Sequence, residues 1–476
     1  MEQQLIVSDE VSVNGVKTSL TLSTDGILRW FDRGVILRCL FVEKEVLGIS
    51  TSGRLITIRA LLETGGDGFG CRGRRRLMRK SFLFELMSDD SLRNLCEKIQ
   101  GFIDSLGRPK KLFVFVNPFG GKKSASKLFI NQVKPILEDA DIDITVQETK
   151  YQLHAKEVSR SLDLTKYDGI ICVSGDGILV EVVNGLLERE DWATALKMPL
   201  GVIPAGTGNG MIKSLLDSAG EPCTPAHAAL AAIRGHKRSL DVATICQGET
   251  VFFSVLMLAW GLVSDIDIES EKYRWMGSAR LDFYALKRIL HLREYNGSLS
   301  FVPAPGFEDV GEENGSCVDF IEPLKPRQHG YHGPKVDFKS FNWRKLNGPF
   351  VSVWLHNVPW SNENTLVAPD AKFEDGYLDL IVLRQCPKLA LISLMSKVNN
   401  GDHVKSPYIL YFKAKAVILE PGTRTDGSTK EGIIDSDGEV LARGKGTYKS
   451  NLKSLMLYDK LQVVVDQGLL TIFTPV

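Results

Sequence analysis

No C-x-x-C pair occurs among the eight cysteines of this 476-residue chain. Cys39, Cys71, Cys96, Cys172, Cys223, Cys246, Cys317 and Cys386 are scattered, the pattern of unpaired thiols in a reducing compartment. Nor is there an excess of charge: Lys+Arg is 58 and Asp+Glu is 58. That balance excludes a global pull towards nucleic acid or an anionic surface, so any such contact must be local, and no nucleic-acid partner is expected. Long apolar runs are missing. The longest, Val251 to Val263, has 13 residues with Ser254 inside it, and a spanning helix needs about 20. The opening MEQQLIVSDEVSVNG lacks a charged-then-apolar signal pattern. These absences point to a cytoplasmic protein, attached to an intracellular membrane only peripherally. They leave the oligomeric state open.

What is present is globular: 43% hydrophobic and 24% charged residues, in a chain long enough for more than one domain. Residues 1–105 read as short alternating strands closed by one helix over SDDSLRNLCEKIQGFIDSL, with Ser88 or Asp89 as its cap. Leu92, Leu95, Ile99, Phe102 and Ile103 fall at helical spacing. Strands followed by one helix predict a β-rich, pleckstrin-homology-like module. Inside it, six of the nine residues from Arg72 to Lys80 are basic. The spacing allows a solvated loop or a patch for anionic headgroups.

Residues 110–238 alternate strands with helices, which predicts an α/β domain with a parallel sheet. Residues 239–476 are strand-dominated, with a Pro- and Gly-rich insertion over 302–349. Two helices interrupt them. One carries Leu281, Tyr284, Ala285, Ile289 and Leu292 on one face, the other Leu391, Leu394, Met395 and Val398. The first reading of such stripes is core.

Three glycine-rich turns, each at a strand's carboxyl end, carry the chemistry: Asn117–Ser124, Ser174–Gly177 and Gly206–Gly210. Backbone amides and helix starts there make an anion-binding rim. The first is not a P-loop, because Lys122 stands where the spacing requires glycine. The third fails the dinucleotide spacing, so ATP is a better fit than NAD. Asp176, between two glycines, is poorly placed for packing. It either caps the next helix or acts as general base beside a phosphoryl donor. His329-Gly-Tyr-His332 has no cysteine or carboxylate at metal spacing and predicts no zinc site.

V-S-G-D-G-x-x-x-E-V-V-N-G-L, P-A-G-T-G-N-G and A-W-G-L-V-S-D-I-D-I-E-S-E-K-Y-R together resemble the sphingosine kinases of the diacylglycerol-kinase-like superfamily, from about Lys110 to Phe473. The first two motifs are superfamily-wide, and the third marks the branch. The amino-terminal module and the final KLQVVVDQGLLTIF resemble the plant long-chain-base kinases.

The resemblance implies an α/β ATP-binding domain joined to a β-rich, sandwich-like lipid domain. It implies transfer of the γ-phosphoryl group of ATP to the primary hydroxyl of a sphingoid base, with Mg²⁺ on the phosphates and its ligands unidentified. By motif, Asp176 is the base. Asn117, Pro118, Phe119, Thr149, Lys150, Tyr151, Gln152, Leu153, Gly206, Thr207, Gly208, Arg274, Arg280, Asp437, Gly438 and Glu439 contact ATP. Ser174, Gly175, Asp176, Gly177 and Asp267 contact the lipid, with Asp265 a second candidate for its amine and His403 near its head. Leu391, Leu394 and Met395 would sheathe the tail.

Asp437-Gly438 also reads as a hairpin turn, and Asp265 and Asp267 as solvated positions on an alternating strand. Phe119 and Lys122-Lys123 depart from the family's first loop, and Leu258 from a polar residue. A ceramide or diacylglycerol kinase is the rival within the class, since those lipids carry no amine cation. NAD kinases have Gly where Ser174 stands. A lipid-binding adaptor without activity is the rival from another class, opposed by the intact Asp176 and loops.

Overall fold

The computed structural model describes residues 4–64, 76–121, 123–277, 279–313, 329–335, 338–447 and 454–475. Seven strands open the chain: β1 (Leu5–Val13), β2 (Val16–Ser23), β3 (Ile27–Asp32), β4 (Ile36–Phe41), β5 (Val46–Ser52), β6 (Leu55–Thr64) and β7 (Arg76–Leu86). They form one sheet in the order β4-β3-β2-β1-β7-β6-β5, every pair antiparallel. In β6 every second residue, Ile56, Ile58 and Ala60, is buried, the period of a strand with one face inward. The helix Asp89–Ser105 closes that face with Leu95, Ile99 and Ile103. Ser88 caps it, its hydroxyl accepting the Ser91 amide at 3.1 Å.

This sheet is fastened to the domain beside it. Arg59 reaches Asp141 at 2.5 Å, and Arg79 forks onto Asp139 at 2.5 and 2.9 Å. Arg108 is buried and donates to the carbonyls of Val42, Glu43, Val46 and Leu47 at 2.8–3.2 Å. Leu47 and Leu61 pack in the core of the next sheet, not in that of their own. Of the basic cluster, Arg72, Arg74 and Arg75 lie outside the described residues, and Arg79 is committed to Asp139.

The strands β8 (Lys111–Val116), β9 (Asp143–Glu148), β10 (Gly169–Ser174) and β11 (Leu200–Pro204) run parallel in the order β11-β10-β8-β9. β8 is buried except at Lys111, and β10 throughout, as expected of parallel strands covered on both faces. The parallel part continues into the β-rich half as a single 16-stranded sheet. The join is Leu461–Phe473, which pairs with β11, with Lys237–Gln247 and with Ile409–Arg424. The last strand of the chain therefore sits in the middle of the sheet.

The run TVFFSVLML reads as one strand, but the structure breaks it into Thr250–Ser254 and Met257–Gly261. The side chain responsible is Asp437, whose carboxylate takes the amides of Val255 and Leu256 between the two pieces. In the expected insertion, Arg344–Asn347 returns to the sheet beside Tyr295–Pro303, and Tyr331 packs its ring on Trp192 and Phe253. Among the described residues no helix is long and apolar enough to cross a membrane.

Candidate active site

The three glycine turns follow β8, β10 and β11 and meet at the strands' carboxyl ends, where open α/β sheets bind ligands. A Cβ on Gly175 would sit 2.5 Å from the Gly208 carbonyl oxygen, and one on Gly206 would sit 2.3 Å from the Gly175 Cα. The second and third turns thus pack backbone against backbone, which only glycine permits.

Asp176 begins the helix Asp176–Leu187. Its carboxylate accepts the amides of Gly210 at 2.8 Å and Met211 at 3.0 Å, in the first turn of the helix Gly210–Ser218. The capping reading is therefore right in kind, but the helix capped is the neighbour's. Burial pushes the Asp176 carboxyl up to about 6, against the pull of these amides. Ser174 is buried, its hydroxyl donating to the Gly175 carbonyl at 2.6 Å.

Asn117 organises the first turn: its side-chain oxygen accepts the Phe119 amide at 3.0 Å and the Thr149 hydroxyl at 3.4 Å. Asn117, Phe119, Thr149, Lys150, Tyr151 and Gln152 line a cavity of about 770 Å³, whereas Pro118 and Leu153 do not. Leu153 turns the chain at φ +67°. Its amide donates to Glu181 at 3.0 Å, and the Ala155 amide takes the other carboxylate oxygen at 3.0 Å. Glu181, which also lines the cavity, was not singled out from sequence. Its only signal there is its place as the acid in V-S-G-D-G-x-x-x-E. Lys122 lies outside the described residues.

Asp437 and Gly438 form the turn between Ile433–Ser436 and Glu439–Arg443, at φ +54° and +83°, the mirror-image turn that suits a hairpin. The Asp437 carboxylate accepts the amides of Val255, Leu256 and Met257 at 2.9, 3.1 and 2.6 Å and the Ser254 hydroxyl at 3.1 Å. Turning those amides inward ends the strand at Ser254. Burial pushes Asp437 up to about 7 against these donors. Hairpin and cavity wall coincide here, because Asp437, Gly438 and Glu439 all line the cavity. Gln152 donates to Glu439 at 2.9 Å, joining two segments far apart in sequence.

Asp265 and Asp267 lie on the helix Leu262–Glu269, not on a strand. Asp267 lines the cavity, with an Arg280 guanidinium nitrogen 3.8 Å from its carboxylate. Asp265 does not line it. Buried at 1% exposure, it accepts from Arg293 at 2.9 Å and from the Tyr295 hydroxyl at 2.6 Å. Arg293 also holds Glu269 at 2.9 Å, which takes the Tyr284 hydroxyl at 2.7 Å. Asp265 and Glu269, four residues apart, share the inner face of the helix. Asp265 is thus off the cavity wall and fastens the helix that carries Asp267. Arg274 is on the following turn, and its side chain lies outside the described residues.

Away from the glycine turns the cavity becomes apolar, walled by Leu262, Ile266, Ile289, Leu391, Leu394 and Met395, with His403 among them. The helix stripes read as core therefore face this space in part. Gly177, Gly206, Thr207, Gly208 and Arg280 complete the set brought together here. Among the described residues no three His, Cys, Asp or Glu side chains converge on a metal-sized site.

Comparison with known proteins agrees with this geometry. Residues 111–245 match the diacylglycerol kinase catalytic domain family, and residues 341–457 the YegS C-terminal NAD kinase beta sandwich-like domain. Sphingosine kinase 2 of Arabidopsis thaliana is 59% identical over 99% of this chain and 97% of its own length. Sphingosine kinase 1 of Homo sapiens is 33% identical over 71% of this chain and 87% of its own. In fold, a putative diacylglycerol kinase from Bacillus anthracis superposes with a TM-score of 0.51 at 20% identity, covering 77% of this chain and 96% of that one. A diacylglycerol-kinase-like catalytic fold, a sandwich-like second half and 59% identity over nearly the whole length place this chain in the sphingosine kinase family.

Proposed function

We propose that ATP and a sphingoid base meet in this cavity, and that the chain moves the γ-phosphoryl group of ATP to the base's primary hydroxyl. The observation that carries this reading is the position of Asp176. It lines one cavity together with the glycine turns, with Asp267 and with the apolar residues Leu262, Ile289, Leu391 and Leu394. A bond forms between the hydroxyl oxygen and the γ-phosphorus, the bond to the ADP oxygen breaks, and the hydroxyl proton passes to the Asp176 carboxylate. Such a loose transition state asks chiefly for alignment and charge neutralisation.

In this reading Asn117 to Phe119, Thr149 to Leu153, Gly206 to Gly208, Arg274, Arg280 and Asp437 to Glu439 surround the nucleotide. Pro118 and Leu153 act by shaping the turns, since neither is on the wall. Ser174 to Gly177 and Asp267 serve the lipid head. Mg²⁺ borne on phosphates takes one or two carboxylates and keeps its waters. Glu439 offers a carboxylate of that kind on the wall, whereas Asp437 is saturated by four protein donors. The ion would neutralise phosphate charge.

The test is labelled ATP with sphingosine, phytosphingosine, ceramide, diacylglycerol and NAD in parallel. Sphingoid bases should be the acceptors. Equal or faster labelling of ceramide or diacylglycerol would replace the reading with its rival.

We also infer peripheral docking on a membrane through the helix Ala279–Leu290. Its inner face lines the cavity with Leu281, Ala285 and Ile289. Its outer face exposes Phe283, Leu286 and Leu290, next to Trp275 at 82% exposure. A helix apolar on both faces beside a lipid cavity suits an interface. Phe283→Ser with Leu286→Ser should weaken sedimentation with phosphatidylcholine vesicles by about tenfold or more. Unchanged sedimentation would leave the Arg72–Lys80 segment as the surface to test, by Arg74, Arg75 and Arg76→Ala on anionic vesicles.

A further inference from the structure

The hairpin formed by Trp360–Asn362 and Thr365–Leu366 belongs to the β-rich half but lies against the third glycine turn. Ser361, Asn362 and Thr365 line the cavity. The Trp360 amide donates to the Ser214 hydroxyl at 3.0 Å, its indole N–H donates to Asp217 at 3.1 Å, and the Lys213 ammonium stands 4.1 Å from its ring. All three partners are on the helix Gly210–Ser218. A Cβ on Gly210 would run into the Trp360 carbonyl, so glycine is what lets the hairpin come this close. At the tip, the Asn362 side-chain oxygen accepts the Asn364 amide at 2.9 Å, a local turn that presents Glu363.

Glu363 reaches back to the glycine turn through Asn209, whose side-chain nitrogen donates to its carboxylate at 2.7 Å. Asn209 is buried, and neither residue is on the cavity wall. The same Asn209 side chain brackets Gly206. Its oxygen accepts the Gly206 amide at 3.1 Å, and its nitrogen donates to the Gly206 carbonyl at 3.2 Å. A side-chain amide fits its space either way round, with oxygen and nitrogen exchanged. Turned over, Asn209 would set its NH₂ group against the Gly206 N–H. A carboxylate only accepts, so Glu363 admits the nitrogen alone and leaves the oxygen for Gly206. The turn held in this way also touches the proposed base: the Gly208 carbonyl accepts the Asp176 amide at 3.1 Å.

We propose that Glu363 is a positioning residue for ATP: it fixes the orientation of Asn209 and through it the Gly206–Gly208 turn, so that a hairpin of the β-rich half helps shape the phosphate site of the α/β half. The proposal rests on the lipid kinase reading and deepens it, since it names a residue off the cavity wall and outside every glycine motif.

The test measures kcat, the KM for ATP and the KM for sphingosine in the parent, Glu363→Ala and Glu363→Gln, together with the Kd of a non-hydrolysable ATP analogue. A hydrogen bond of this kind corresponds to about 3- to 10-fold in affinity. Glu363→Ala should raise the KM for ATP and the Kd of the analogue by that factor, because Asn209 is then free to turn over. Glutamine keeps an acceptor oxygen and should recover most of the loss. The KM for sphingosine should not move, because the Trp360 contacts still seat the hairpin. In an Asn209→Ala background, Glu363→Ala should cost nothing further, which a general loosening of the hairpin would not produce. If Asn209→Ala does not fold, Asn209→Asp sets two carboxylates together, and Glu363→Gln should relieve it. An unchanged KM for ATP in Glu363→Ala, a Glu363→Gln enzyme as impaired as Glu363→Ala, or equal rises in both KM values overturns the proposal while the kinase reading stands. A parent that binds the analogue but labels no sphingoid base overturns the kinase reading alone, and a parent that does not bind the analogue overturns both.

Discussion

Asp176→Asn should lower kcat by about 10²–10⁴-fold, the usual cost of losing a general base. Asparagine keeps the shape but does not accept the hydroxyl's proton. It also turns an NH₂ group towards one of two amides, Gly210 or Met211, that now donate to the carboxylate. A lower melting temperature should therefore accompany the lost rate, and kinetics must be read on protein shown to be folded. A second signature is independent of the mutation. The base must be unprotonated to act, and burial raises Asp176 to about 6. In the parent, kcat should fall as pH drops through about 6, and Asp176→Asn should lose that acid limb. A folded Asp176→Asn enzyme with near-parental turnover would remove Asp176 from the base role.

Asp267→Asn should raise the KM for sphingosine by about 10- to 100-fold. The ammonium of the base leaves water to bind, which is costly unless a carboxylate receives it. A charge-assisted hydrogen bond contributes roughly 1.5–3 kcal/mol, or one to two decades in affinity. Asp267 lines the cavity, whereas Asp265 does not and holds Arg293 and Tyr295 through one carboxylate oxygen. Because Arg280 approaches Asp267 to only 3.8 Å, the KM for ATP should shift by less than about threefold, the scale of a loose, partly solvated pair. The preference for sphingosine over ceramide should shrink, since only the free amine loses a partner. Equal rises in both KM values would make Asp267 a general scaffold residue.

Local chemistry made part of this legible in advance. A glycine turn after a buried β-branched strand reads the same wherever it occurs, so Ser174–Gly177 and Gly206–Gly210 could be put at the sheet's ligand edge from sequence. Ser88 and the Leu95, Ile99 and Ile103 stripe were legible for the same reason. What escaped depends on contacts between distant segments. D-I-D-I-E alternates like a strand, and only the Arg293 contacts with Asp265 and Glu269 show why it winds as a helix. T-V-F-F-S-V-L-M-L has no break of its own, since the break is imposed by Asp437, about 180 residues further on. Glu181 reads as one more residue of a helix, and only its contacts with the Leu153 and Ala155 amides, from a separate segment, distinguish it. The central place of Leu461–Phe473 is a property of pairing, which no local pattern contains.

Arg108 extends its guanidinium into carbonyls supplied by the amino-terminal sheet, and Leu47 and Leu61 of that sheet fill the core beside the parallel strands. Cutting the kinase free of its first 105 residues would strand a buried cation without its acceptors and bare the apolar side those leucines cover. The amino-terminal sheet is thus not a detachable address label that domain shuffling could add or exchange at will. Its inheritance is tied to the residue at 108 and to the surface it shields. A lineage that dropped the sheet would have had to rewrite both, and grafting it onto a kinase without them should give no stable joint.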